Sequence, residues 1–153
     1  MNQKAFVSHS KEETTKLAAK IVRALKPGSV VLLTGDLGAG KTTFVGGSLN
    51  ELGYKDHVVS PTFNILKCYF DVNPNVFHID AYRLEGQNID IGLEEFLEGD
   101  GISFVEWPKF IESILPHETM TIKITRISDN ERQFEIVSDC EKYRSVFESL
   151  GAK

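Results

Sequence analysis

The amino-acid sequence predicts an α/β fold, with a mixed β-sheet flanked by helices in a single domain over residues 1–153. Three features carry that reading: apolar runs of strand length, helical apolar stripes between them, and a glycine-rich turn joining one such run to one such stripe. With 153 residues, 41% hydrophobic and 25% charged, the chain can bury a single core without a disulfide or metal to hold it.

Taken in order, Ser10-Lys11-Glu12-Glu13 reads as a capping box that opens a helix, since Ser and Glu three apart can satisfy free backbone donors reciprocally. Leu17, Ala18, Ile21, Val22 and Leu25 recur at helical spacing until Pro27-Gly28. The run Val30-Val31-Leu32-Leu33-Thr34 suits a strand covered on both faces, as in parallel sheets. A helix from about Lys41 to Leu52 closes at Gly53, and an irregular stretch leads through Ser60-Pro61-Thr62-Phe63. The runs 65–70 and 76–79 flank the turn Val72-Asn73-Pro74-Asn75 and predict antiparallel strands, while 102–105 is a further buried strand. A short helix is expected at 110–115, a hairpin at 119–127 and 133–137 around Ser128-Asp129-Asn130-Glu131, and a closing helix at 141–150.

Composition excludes several classes. Seventeen basic against twenty-two acidic residues give a net charge of -5, a poor basis for gripping a polyanion unaided. The N-terminal residues lack the apolar stretch of a signal peptide and no uncharged run approaches membrane-spanning length, so the cytoplasm is the expected location. Cys68 and Cys140 are far apart and are expected to be buried, reduced thiols. His9, His57, His78 and His117 are scattered without ligand-like spacing, and no protein-built metal cage is expected.

Gly35-Asp36-Leu37-Gly38-Ala39-Gly40-Lys41-Thr42 matches the P-loop pattern between a buried strand and a helix, which makes the fold P-loop NTPase-like. Gly35, Gly38 and Gly40 permit backbone conformations that turn successive N–H groups of residues 35–42 toward one anion, and the helix start adds its positive end. In that role Asp36, Leu37, Gly38, Ala39, Gly40, Lys41, Thr42 and Thr43 would wrap the phosphates, with Lys41 bridging the β- and γ-phosphates and the Thr42 hydroxyl offered to Mg²⁺. Such a site needs a carboxylate at the end of a neighbouring apolar strand. Asp80, after Val76–Ile79, and Glu106, after Ile102–Val105, both qualify, and periodicity does not rank them.

Four motifs, Gly-Asp-Leu-Gly-Ala-Gly-Lys-Thr-Thr-Phe at 35–44, Ser-Pro-Thr-Phe at 60–63, His-x-Asp-x-Tyr-Arg-Leu at 78–84 and Phe-Val-Glu-Trp-Pro at 104–108, together resemble the bacterial TsaE (YjeE) family in order and in total length. The resemblance implies an ATPase that supports N6-threonylcarbamoyladenosine formation at position 37 of tRNAs reading ANN codons. It implies a TsaD–TsaB pair as partner, with tRNA met through that complex, and ATP and Mg²⁺ as cofactors. Carried over by residue, Thr42 and Glu106 would place Mg²⁺, Asp80 would be a catalytic carboxylate near the γ-phosphate, with Lys41 and Thr62 also in the catalytic set, Thr62 would belong to a switch-like loop, and Trp107 would lie beside the nucleotide.

Several of these positions have plainer readings. Ser-Pro-Thr is also an ordinary turn sequence, Arg83 suits a surface ion pair, and Trp107 and Tyr82 suit core as well as contact roles. Between Leu84 and Pro108 there is no lysine or arginine; Ile91, Leu93, Phe96 and Leu97 among the acids predict an amphipathic helix near 91–98, either a solvated face or a surface for a basic partner. A small-molecule or nucleotide kinase shares the loop but needs arginines over the transferred group, and only Arg83 lies between the loop helix and Thr125. A nucleotide-dependent binding switch of the GTP type would carry Asn-Lys-x-Asp, which is absent. A nucleotide-binding scaffold without turnover is the remaining alternative.

Overall fold

In a computed structural model the described residues are 2–35, 39–56, 58, 65–85 without the Arg83 side chain, and 92–151. They form a seven-stranded mixed sheet with helices on both faces. The elements are β1 (Asn2–Ser8), α1 (Lys11–Ala24), β2 (Val30–Thr34), α2 (Lys41–Glu51), β3 (Leu66–Tyr69), β4 (Val76–Asp80), α3 (Leu93–Leu97), β5 (Ile102–Glu106), β6 (Met120–Arg126), β7 (Arg132–Ser138) and α4 (Arg144–Gly151). Tight helical turns occupy Tyr82–Leu84, Pro108–Ile114 and Glu141–Tyr143.

The sheet runs β1-β7-β6-β2-β5-β4-β3. Its centre is parallel, with β2 between β5 and β6 and β4 beside β5, while β3, β7 and β1 each pair antiparallel to a neighbour. β4 and β5 are buried along their whole length, as their mostly apolar residues require for strands covered on both faces, with Ser103, Glu106, His78 and Asp80 the buried polar exceptions. One core cluster joins α1, α2 and α4 to Val31, Leu33, Phe104, Ile122 and Phe134. The other lies across the sheet around Val30, Ile79, Val105, Leu93 and Ile111. β6 keeps Met120, Ile122 and Ile124 buried, while Lys123, Thr125 and Arg126 are exposed.

The helix-capping prediction holds with a shift of one residue: Ser10 accepts the Glu13 N–H at 3.1 Å, but the Glu13 carboxylate reaches back to the His9 N–H at 2.8 Å. The closing helix divides into a tight turn and α4, and the segment after Pro108 is a 3₁₀ stretch interrupted at Ile111. The acidic helix is shorter than expected, five residues from Leu93; Ile91 lies outside the described residues. Both cysteines are free thiols, half-buried where full burial was expected.

β1 has no counterpart in the sequence reading. Its residues Asn-Gln-Lys-Ala-Phe-Val-Ser lack alternation, since six of the seven positions keep some exposure, and it is held by antiparallel pairing to β7 from Asn2↔Ser138 to Ser8↔Arg132. Edge strands gain their stability from backbone ladders, which leave no hydrophobic period to read. At the opposite end of the chain the Tyr143 hydroxyl accepts the Val30 N–H at 2.8 Å and donates to the Glu118 carbonyl at 3.0 Å, so α4 is tied to the root of β2; burial pushes its pKa up to about 12.

α1 and α2 cross at close range over Gly47, where a Cβ would come 2.9 Å from Thr15 Cα and 3.1 Å from Ala18 Cβ. Alanine favours a helix by about 1 kcal/mol, but overpacking costs about 1–3 kcal/mol. Gly47→Ala is therefore expected to lower the urea midpoint without changing the slope of the transition; an unchanged or raised midpoint would show that the two helices can part freely.

Candidate active site

The site lies where β2, β5 and β4 end together. β2 stops at Thr34 and the chain turns at Gly35, whose φ of 146° and contact with the Ile124 carbonyl leave no room for a Cβ. Gly40, with φ 111°, forms the left-handed entry to α2 and supplies no side-chain cap, so the helix opens with its N–H groups turned to the space beside Gly40, Lys41, Thr42 and Thr43. Asp36, Leu37 and Gly38 fall outside the described residues, as do Ser60, Pro61, Thr62 and Phe63.

Lys41 is 5% exposed. Its ammonium donates to the Gly35 carbonyl at 2.7 Å, stands 3.9 Å from Glu106 Oε1, and lies 4.4 Å from the centre of the Trp107 ring. Asp80 and Glu106, each 4% exposed, are direct neighbours across the β4–β5 ladder. Both therefore reach the same edge of the sheet. Asp80 accepts the Tyr82 N–H at 3.1 Å, which bends the chain away behind it, and Glu106 Oε2 meets His78 Nε2 at 2.6 Å.

Trp107 has φ 58° and ψ 51°, an uncommon conformation for a bulky residue, imposed where β5 ends and Pro108 begins the next turn. The bend lays the indole over Lys41 and against Phe110, with planes 16° apart, while Tyr82 meets it edge-on. Neither ring belongs to the fully buried core: Tyr82 is 50% exposed and Trp107 half-buried. Both line the cavity, and Trp107 also packs against the core cluster on that side of the sheet.

A cavity of about 540 Å³ runs from these groups to a second wall. Thr42, Asp80, Glu106 and Trp107 lie at one end; Ser10, Lys11 and Thr14 from the start of α1 and Asp129, Asn130 and Arg132 from the β6–β7 turn complete it. That volume is within the ordinary range for a small-molecule ligand. Sequence reasoning missed this second wall, having read Ser10 as a helix cap and 128–131 as a turn. No local signal marks residues that are brought to the cavity only by the pairing of distant strands. Ala39 is buried and lines a second cavity of about 630 Å³, which Lys41 and Trp107 also line, with Lys109, Lys123 and Arg126 on its walls.

Gly40, Lys41, Thr42, Thr43, Asp80, Glu106 and Trp107 line the first cavity, so every described member of the expected set except Ala39, which lines the second, converges on one place. The donor chemistry fits Mg²⁺: a hydroxyl and carboxylates are hard oxygen ligands, and this ion is commonly held by one or two protein groups together with phosphate oxygens and water.

Residues 8–134 match the family model described as threonylcarbamoyl adenosine biosynthesis protein TsaE. The chain belongs to the TsaE family. The chain is 44% identical to the tRNA threonylcarbamoyladenosine biosynthesis protein TsaE of Bacillus subtilis (strain 168) over 140 residues, which cover 91% of this chain and 89% of the relative. Its identity to the protein of that name from Treponema pallidum (strain Nichols) is 37%, covering 85% and 97% of the two chains. The crystal structure of Bacillus subtilis YdiB superposes with a TM-score of 0.85 at 37% identity, covering 98% of this chain and 95% of the other. Membership of the TsaE family associates the chain with threonylcarbamoyladenosine biosynthesis in tRNA. Among the described residues no helix is long and apolar enough to cross a membrane.

Proposed function

We propose that this TsaE-family chain is a Mg²⁺-dependent ATP hydrolase that supports formation of N6-threonylcarbamoyladenosine at position 37 of tRNA (t6A37), working in the cytoplasm on a TsaD–TsaB pair. The observation that carries the reading is the convergence of Lys41, Thr42, Asp80 and Glu106 on one cavity at the open start of α2. Thr42 and Glu106 are the residues that would hold Mg²⁺, which would supply positive charge to the phosphates. Lys41 adds a buried ammonium for the developing negative charge, and the free amides of α2 orient the phosphate chain. Thr42 and Glu106 hold the metal through oxygen. Asp80 orients the attacking water and accepts its proton, so that the phosphate leaves as free inorganic phosphate. Thr62 and the Asp36-Leu37-Gly38 segment, which lie outside the described residues, keep in this reading the roles that the TsaE motifs imply for them. Trp107 packs beside the nucleotide.

A net charge of -5 is a poor electrostatic basis for gripping tRNA unaided, so in this reading tRNA is held by the partner complex. The test is phosphate release from ATP and GTP by the chain alone and with the partner pair, together with tRNA modification over many turnovers. ATP-dependent phosphate release, stimulated by the partners and required for repeated modification, is the expected result. Label transferred to a small acceptor would favour the kinase reading, and modification that proceeds equally without this chain would remove the proposed role.

A further inference from the structure

His78 is fully buried on β4, two residues before Asp80 and on the same face of the sheet. The parallel register sets Asp80 opposite Glu106 and His78 opposite Phe104, so the imidazole lies one step inside the sheet edge, behind the Glu106 carboxylate. Its Nε2 lies 2.6 Å from Glu106 Oε2. Its other nitrogen, Nδ1, is buried with no hydrogen-bond partner among the described residues. A buried polar atom left without a partner costs about 1–3 kcal/mol, and the neighbouring positions are filled by Phe77 and Ile79, which carry no such cost. Packing alone therefore gives no reason for a histidine here. What the imidazole supplies is the bond to Glu106.

We propose that His78 is a positioning residue for the metal-binding carboxylate: by donating Nε2–H to Oε2 it fixes the Glu106 rotamer and leaves Oε1, the oxygen 3.9 Å from Lys41, as the one turned to the cavity. The proposal rests on the magnesium reading of the site. A carboxylate held this way meets the ion already oriented; without the imidazole it must be ordered at the moment of binding, and outer hydrogen bonds of this kind are worth about 10–100-fold in metal affinity.

The chain contains a single tryptophan, Trp107, whose ring lies beside Lys41, so its fluorescence reports on the site. Full-length protein with bound ADP is titrated with magnesium chloride, and ADP binding is measured separately in EDTA. For His78→Leu the magnesium midpoint is expected to rise about 10–100-fold while metal-free ADP affinity stays within about threefold of wild type. His78→Gln, whose amide nitrogen reaches the position of Nε2, is expected to recover most of the loss; His78→Asn, one carbon shorter, is not. If His78→Leu does not fold, the Gln and Asn pair decides the matter by the same contrast. An unmoved midpoint in His78→Leu, an equal fall in metal-free ADP binding, or Gln and Asn variants that behave alike overturns the proposal. Wild-type protein whose ADP binding ignores magnesium removes the magnesium reading and the proposal with it, whereas a magnesium-dependent wild type with unmoved variants removes the role of His78 alone.

Discussion

Lys41→Ala is expected to reduce partner-stimulated ATP hydrolysis about 10²–10³-fold or more, the loss typical of removing one pre-placed charge donor from a transition state. The expectation follows from the environment of the ammonium. It is almost wholly buried, held by the Gly35 carbonyl and the Trp107 face, and within 3.9 Å of Glu106. A charge held in place away from bulk water is screened less than an exposed one and needs little reorganisation when negative charge builds on the phosphates. Alanine also takes one cation from beside Glu106, although His78 remains bonded to the same carboxylate. Circular dichroism and thermal melting establish that the variant is folded, and phosphate release and tRNA modification are then measured together. Undiminished turnover in a folded Lys41→Ala protein would take this residue out of the phosphate site.

The second large effect separates the two neighbouring carboxylates. Asp80→Asn is expected to lower kcat about 10²–10⁴-fold, as loss of a general base does, while ATP binding stays near wild type. Asparagine keeps an oxygen for the Tyr82 N–H, so the turn after β4 survives the change. Glu106→Gln is expected to do something different: it raises the magnesium concentration needed for tight nucleotide binding, because an amide oxygen is a poorer ligand than a carboxylate for a hard cation. Parallel titrations of nucleotide and magnesium on both variants make the comparison. If Asp80→Asn weakens binding and turnover equally, Asp80 belongs with the metal ligands, and the division of roles between the two acids falls.

Much of the site is legible in the chain because its parts are contiguous. The loop from Gly35 to Thr42 sits between a buried apolar strand and a helix, and that order is itself the structural context in which an anion-binding nest forms. Asp80 and Glu106 each end an apolar run, so both can be found as strand-terminal acids. Their adjacency cannot be found that way. It arises because β4 and β5 lie side by side in one register, an arrangement that strand periodicity does not specify. His78 illustrates the same limit more sharply, since its partner is 28 residues away and its own surroundings read as ordinary strand.

From sequence alone come the α/β class, most of the strands and helices, the glycine-rich loop motif with its lysine and threonine, and the motifs that signal TsaE kinship. Each is written in neighbouring residues, where hydrophobic period, glycine placement and caps act through local backbone geometry. Only the folded chain decided that β5 and β4 follow β2 across the sheet, that β1 covers the β7 edge, and that α1 and the β6–β7 turn form the far wall of the cavity. Those choices depend on which surfaces pack together over long separations. A hydrophobic pattern says that a face must be buried, and does not say against what.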